Sequence, residues 1–325
     1  MRALRNHPSL AIWCGGNEFR PGCNRPLVDT LRQVVAQEDP SRPFLPASPA
    51  QGDSHYWRVW HQAHPASAYR KDESRFASEF GLQAPPNTET LRRLLPASDL
   101  WPPGLAWVHH GADLKKLNRY AEPFLAEQDP SLDVFVQASQ RSQAYALQIA
   151  IEHYRRSKVR GCSGVLVWQL NEPWPAVSWA LLDYFRQPKA AYAIVRRLYA
   201  PLLVSLEYPL QRYLPGQPFC ARVWIINDSI ETLSGCQVVA CLWDQAGSKT
   251  EEFACEVDVS AASAFCVGEL QATLPASGGW RLTGQLIHHG RTRAANEYDL
   301  TVHDGIMPGL RQRLRHWLAD LVMPS

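Results

Sequence analysis

Residues 6–19 read NHPSLAIWCGGNEF, an apolar, strand-like run from Leu10 to Trp13 that passes through two glycines and stops at a carboxylate, Glu18. Residues 75–83, RFASEFGLQ, repeat that layout and stop at Glu79. A barrel of parallel strands presents its chemistry where the strands end, so a lone glutamate closing a buried strand is a candidate for catalysis. Whether the fold is of that kind depends on how strand and helix signals alternate around the two motifs.

They alternate through the first two hundred residues. After the loop at Pro21 and Gly22, Leu27, Leu31, Val34 and Val35 recur at helical spacing. Arg42 to Pro46, His55 to Trp60 and Arg75 to Phe80 read as strands, and Thr88 to Leu95 and Asp113 to Leu125 as short helices. The longest helical signal spans Ser131 to Lys158, with Val136, Leu147, Ile151 and Tyr154 as its buried positions. It leads into residues 164–175, GVLVWQLNEPWP, the strongest buried strand of the chain. Pro188 then opens a helix in which Ala191, Ile194, Val195 and Leu198 repeat. Such alternation implies parallel strands covered by helices, hence an open doubly wound sheet or a barrel.

From about Ala200 the texture changes to short strands such as CARVWIINDS and CQVVACLWDQAG, separated by Gly, Pro, Asn or Ser at the spacing of a β-sandwich. The expected organisation is a catalytic α/β domain over 1–200, an all-β sandwich over 201–305 and an amphipathic helix over 306–325. In that helix Leu310, Leu314, Trp317, Leu318 and Leu321 share a face, read as packing back on its own domain.

Composition sets the frame: 325 residues, 46% hydrophobic and 20% charged, are enough for one large or two ordinary domains with a real core. A net charge of +2 gives no electrostatic case for nucleic acid or membrane partners, and no apolar run reaches membrane-spanning length. The eight cysteines match no zinc spacing, and the doublets His109, His110 and His288, His289 lack ligand spacing, so no metal site is expected. Without a charged, cleavable leader, the expected setting is cytoplasmic with reduced thiols.

Two strand-end carboxylates suit cleavage of a glycosidic bond. One carboxyl is protonated to help the leaving oxygen depart, and the other is ionised to meet the developing cation. Glu18 and Glu79 are the pair. Asn17, beside Glu18, suits a hydrogen bond to the sugar 2-hydroxyl. Chemistry of this kind needs no cofactor.

The motifs also resemble a known family. NHPSLAIWCGGNE is similar to the acid/base signature of glycoside hydrolase family 2, in its β-mannosidase branch, and SRFASEFGLQAPP resembles the nucleophile signature of that family. SHYWRVWH resembles its sixth barrel strand and GVLVWQLNEPWPAVSWALLDYF its eighth. The resemblance implies a (β/α)8 TIM barrel, represented here by strands four to eight, followed by an immunoglobulin-like β-sandwich. It implies Glu18 as general acid/base, Glu79 as nucleophile, Asn17 as the 2-hydroxyl anchor and Trp168 as an aromatic platform under the sugar. Tyr56 and Trp57 flank the sixth-strand mouth; Tyr56 is taken as the hydrogen-bond partner of the nucleophile. Glu172 sits where the family carries an acidic residue that is neither catalytic group.

The sequence departs from the family pattern at Gly16, where Asn is commoner, and in the loop FRPGCNRP, which offers no Trp to the pocket. The resemblance makes a β-mannoside, in an oligosaccharide or simple glycoside, the first choice of substrate, and these departures leave a galactoside, glucuronide or glucosaminide as alternatives. Five strands are counted where a closed barrel needs eight. The chain is thus expected to be a carboxy-terminal part of an exo-β-glycosidase, silent alone and completed by a separate amino-terminal half-barrel chain. The alternative is a silent fragment, or a binding and assembly module.

Overall fold

Trp13–Cys14 (β1) runs parallel to Phe44–Leu45 (β2), with the helix Arg25–Glu38 (α1) between them. Residues 1–125, 129–210 and 212–304 are described in this computed structural model; the helix expected over 306–325 lies outside them. Pro26 stands in the first turn of α1, where its missing N–H costs no intrahelical bond. The helix buries Val28 and Val35 and leaves Leu27 and Val34 exposed, so its inner face is rotated from the expected one. Trp13 Nε1–H and Arg42 Nη1–H both donate to Asp39 Oδ2, at 2.9 and 2.7 Å, and Arg42 Nε–H donates to Leu10 O at 2.6 Å. The Trp13 bond, with help from Ser41 and Arg42, holds the Asp39 carboxyl down to about 2. Helix end and strand are thereby tied together.

A second parallel sheet has the order Asp53–His55 (β3), Phe76–Glu79 (β4) and Gly164–Val165 (β5). Its register sets His55 against Glu79, and Tyr56 N–H donates to Glu79 O at 2.8 Å. The strand expected over His55 to Trp60 is corrected: the ladder stops at His55 and the chain turns, with His61 N–H donating to Trp57 O. Adjacent residues of a strand face opposite sides. Val59 and Trp60 are both buried, and a turn under Tyr120 satisfies both, Trp60 stacking on that ring.

The run after Gly164 is also corrected. Leu166 N–H and Trp168 N–H continue the pairing to Ala77 O and Phe80 O, but Leu166, Trp168 and Leu170 are 52, 41 and 54% exposed. Alternation puts these three on one side, so only the other side of the run is covered. The two parallel sheets share no ladder among the described residues. The architecture up to Tyr199 is α/β with short parallel strands.

Shorter helices Thr88–Leu94 (α2), Leu105–His109 (α3) and Leu114–Ala121 (α4) lead to Leu132–Arg156 (α5), the longest of the described elements. Ser131 caps α5 by accepting from Val134 N–H, satisfying one of the free donors of its first turn. Val136, Leu147, Ile151 and Tyr154 are buried as the sequence implied. The buried amide of Gln143 donates to Leu82 O at 2.8 Å and Trp179 O at 3.0 Å, so α5 clamps the segment following β4 to the one following β5. The same two segments approach closely at Gly81, where a Cβ would lie 2.4 Å from Trp168 O. Helix Ala190–Leu198 (α6) then buries Ala191, Val195 and Leu198.

Tyr199 closes the first of two compact units, and the second begins at Ala200. It consists of two antiparallel sheets. One has the order Ser263–Leu274 (β10), Gln217–Asn227 (β7), Leu202–Glu207 (β6). The other has Arg291–Val302 (β12), Gly278–His288 (β11), Leu233–Trp243 (β8), Lys249–Val259 (β9). Alternate residues Trp280, Leu282 and Leu286 of β11 turn inward onto Val204, Leu206, Val223 and Ile225 of the facing sheet. Each such fully buried side chain stabilises by roughly 1.5–3 kcal/mol. Gly284 leaves the space these layers need, since a Cβ there would stand 2.8 Å from Val204 Cγ1. All eight cysteines are free thiols, and no helix among the described residues is long and apolar enough to cross a membrane.

Candidate functional site

The ends of β1, β3, β4 and β5 and the turns that follow them bring Asn17, Glu18, Trp57, His61, Glu79, Trp168 and Trp179 around a cleft of about 200 Å³. The chain reaches it at Glu18 through a parallel bridge between Asn17 and Ser48, and Glu18 N–H donates to Ser48 O at 2.7 Å. Glu18 sits in the left-handed region at φ 52°. For a residue with a Cβ this costs about 1–2 kcal/mol, and it turns the carboxylate toward the end of β4.

His55 lies between the two glutamates. Its ring is buried, with Nδ1 2.8 Å from Glu18 Oε1 and 3.5 Å from Glu79 Oε2. Its Nε2 is 2.9 Å from Ser48 Oγ, and the Ser48 hydroxyl donates to Asp53 Oδ2 at 2.6 Å. One oxygen of Glu18, one of Glu79 and a nitrogen of His55 lie within 4.8 Å of one another.

The environments of the two glutamates differ. Glu18 is half exposed, whereas the Glu79 side chain is 12% exposed. Burial pushes the Glu79 carboxyl above its ordinary value, and the Glu18 charge adds to the rise. His55, the Trp57 Nε1–H donated at 3.3 Å and a hydrogen bond from Asn17 oppose it. At the rim, burial pushes the His61 imidazole down, with the Lys116 charge acting in the same direction.

Of the residues singled out in the sequence, Asn17, Glu18, Trp57, Glu79 and Trp168 converge on the cleft. Tyr56 does not, and its role as partner of Glu79 is corrected. Its hydroxyl is buried and donates to Ala68 O at 2.6 Å, because neighbours leaving β3 point opposite ways and Trp57 takes the cleft side. His55 and Trp179 went unnoticed in the sequence reading. Trp179 belongs to the motif that supplied Trp168 and meets Trp57 edge-on at 6.0 Å, but no periodicity marks it. His55 is distinguished only by the cross-strand register.

Glu172 is buried outside the cleft lining. It accepts from Ser178 Oγ–H at 2.6 Å and from Ala176 N–H, and it faces Lys189 Nζ at 3.4 Å. Lys189, wholly buried, also donates to Ala84 O and Ser178 O, and burial brings its pKa down to about 8. His110 Nδ1 lies 2.9 Å from Pro175 O and the ring stacks on Trp174.

No family model matches the chain. Beta-mannosidase B of Emericella nidulans is 27% identical over 282 residues, covering 72% of this chain and 33% of that protein. Beta-mannosidase B of Thermothelomyces thermophilus is 28% identical over 306 residues, covering 77% and 36%. The crystal structure of a β-D-mannosidase from Dictyoglomus thermophilum superposes with a TM-score of 0.77 at 28% identity, covering 92% of this chain and 39% of that one. An exo-chitosanase from Amycolatopsis orientalis shares the fold, with a TM-score of 0.69 at 22% identity over 92% of this chain and 37% of that one. The chain thus spans a third to two fifths of the length of these relatives. In both sequence and fold the chain is β-mannosidase-like, similar to these enzymes over the part of their length that it spans.

Proposed function

We propose that the chain carries the catalytic carboxylate pair of a retaining exo-β-glycosidase, with a terminal β-mannoside as substrate. The observation that carries this reading is the approach of Glu18 and Glu79 oxygens to within 4.8 Å of each other. Retaining enzymes hold their carboxyl groups about 5–5.5 Å apart, whereas inverting ones leave about 6.5–9.5 Å for a water. The roles follow the motifs and not the environments, since burial raises the Glu79 carboxyl; Glu79 is held in place by donors from Trp57 and Asn17, and Glu18 reaches solvent.

In the first step Glu79 attacks the anomeric carbon as the bond to the leaving oxygen breaks, and the Glu18 carboxyl gives its proton to that oxygen. In the second, Glu18 takes a proton from water, the water oxygen bonds to the anomeric carbon and Glu79 departs as carboxylate. Asn17 anchors the 2-hydroxyl. Trp168 and Trp57 supply apolar faces for the ring, with Trp179 beside them.

The finer architecture belongs to the same proposal: the five parallel strands are strands four to eight of a (β/α)8 barrel, and the second unit is an immunoglobulin-like sandwich. The exposed side of Leu166, Trp168 and Leu170 supports a neighbouring barrel segment packing there, supplied by a separate half-barrel chain. The test is hydrolysis of an aryl β-mannoside by the chain alone and after mixing with that half-barrel. Activity on mixing that Glu79→Ala abolishes supports the reading. Absence of turnover in both cases favours a silent fragment or assembly module, and turnover of a β-galactoside, glucuronide or glucosaminide instead reassigns the sugar.

A further inference from the structure

The protons around His55 are countable. Ser48 commits its single hydroxyl hydrogen to Asp53 Oδ2, so Ser48 Oγ receives the hydrogen of His55 Nε2. Nδ1 lies 2.8 and 3.5 Å from Glu18 Oε1 and Glu79 Oε2. With the ring neutral and both carboxylates ionised, all three are acceptors, and a positive centre shared among them, a proton or a metal cation, satisfies them together.

We propose that Glu18, His55 and Glu79 form an inhibitory site for a borderline divalent cation of the Zn2+ type, bound by His55 Nδ1 and one oxygen from each glutamate. Zinc takes imidazole nitrogen and carboxylate oxygen at about 2.0–2.2 Å in a tetrahedron, whose ligand atoms are then roughly 3.3 Å apart. The present separations of 2.8 and 3.5 Å, with all three atoms inside 4.8 Å, bracket that edge. Glu18 and Glu79 line the cleft, from which water can supply a fourth ligand. The remaining ring nitrogen of His55 is fixed through Ser48 to Asp53, the outer-shell arrangement that sets the tautomer of a ligating histidine. A cation held there occupies both proposed catalytic carboxylates. Binding rests on the three donors alone and holds whether or not the chain hydrolyses a glycoside.

The experiment is calorimetric titration of the chain with ZnCl2, in a Cys14→Ser, Cys23→Ser background that removes the two exposed thiols as competing ligands. The expected result is one Zn2+ per chain, weakened about 10–100-fold by Ser48→Ala and lost in His55→Ala. Glu18→Gln guards against misfolding as an explanation, since that side chain is half exposed; it too must weaken binding at least tenfold with an unchanged circular dichroism spectrum. Zn2+ bound to Glu18→Gln with the parent affinity, or no binding to the parent, overturns the proposal.

Discussion

Trp57 Nε1–H donates to Glu79 Oε2 at 3.3 Å, while Tyr56, one residue earlier, sends its hydroxyl to Ala68 O. Two adjacent aromatic residues thus have separate work. The Trp57 bond favours the ionised form of Glu79, so Trp57→Phe raises the Glu79 pKa further. Tyr56→Phe leaves that titration in place and costs about 1–2 kcal/mol of stability, the price of an unpaired buried carbonyl. Carboxyl-carbon NMR titration and denaturant unfolding of the two variants separate these outcomes.

Glu79 also ties stability to pH. Its folded pKa lies above the ordinary 4.5, chiefly through burial, so the folded state holds this proton more tightly than the unfolded one. The stabilising contribution is complete below about 4.5 and is lost as pH rises through the folded value. Glu79→Gln therefore raises the melting temperature at neutral pH, and the difference shrinks below pH 4.5. Thermal melts of both proteins across pH 4 to 8 measure it. A constant difference would remove Glu79 as its source.

The Lys189–Glu172 pair has the opposite dependence. Lys189 titrates near 8 in the fold against an ordinary 10.5, so the unfolded chain holds more protons between these values and stability rises with pH there. Lys189→Met flattens that rise. Glu172→Gln removes the charge facing a buried ammonium and is expected to destabilise by about 3–5 kcal/mol, read from urea midpoints at pH 7.

Gly81→Ala tests how closely two cleft-forming segments must approach. The added methyl would meet Trp168 O at 2.4 Å and Trp179 Cδ1 at 3.1 Å, a conflict with backbone that rotamers cannot relieve. A loss of about 1–3 kcal/mol is expected, with a shift in tryptophan fluorescence as Trp168 and Trp179 move. Gly22→Ala, with nothing within 4 Å, is the control and leaves the spectrum unchanged.

Helical spacing located the buried face of α5 from Val136, Leu147, Ile151 and Tyr154, because a long helix repeats its signal over several turns. The same reasoning missed the face of α1 and the turn at Trp57 to Trp60. Short elements offer too few repeats, and tertiary partners such as Tyr120 decide where their aromatics go.

The sequence alone determined the alternation of strand and helix before Ala200, the all-β texture after it, and the two glutamates that follow apolar runs, Glu79 ending β4 and Glu18 lying four residues beyond β1. These follow from local periodicity and from which residues end an apolar run. Tertiary structure alone decided that His55 lies between Glu18 and Glu79, that Trp57 and not Tyr56 faces the cleft, and that Glu172 is buried against Lys189. Each depends on strand register or on a long-range pairing, where a shift of one residue sends a side chain to the opposite face.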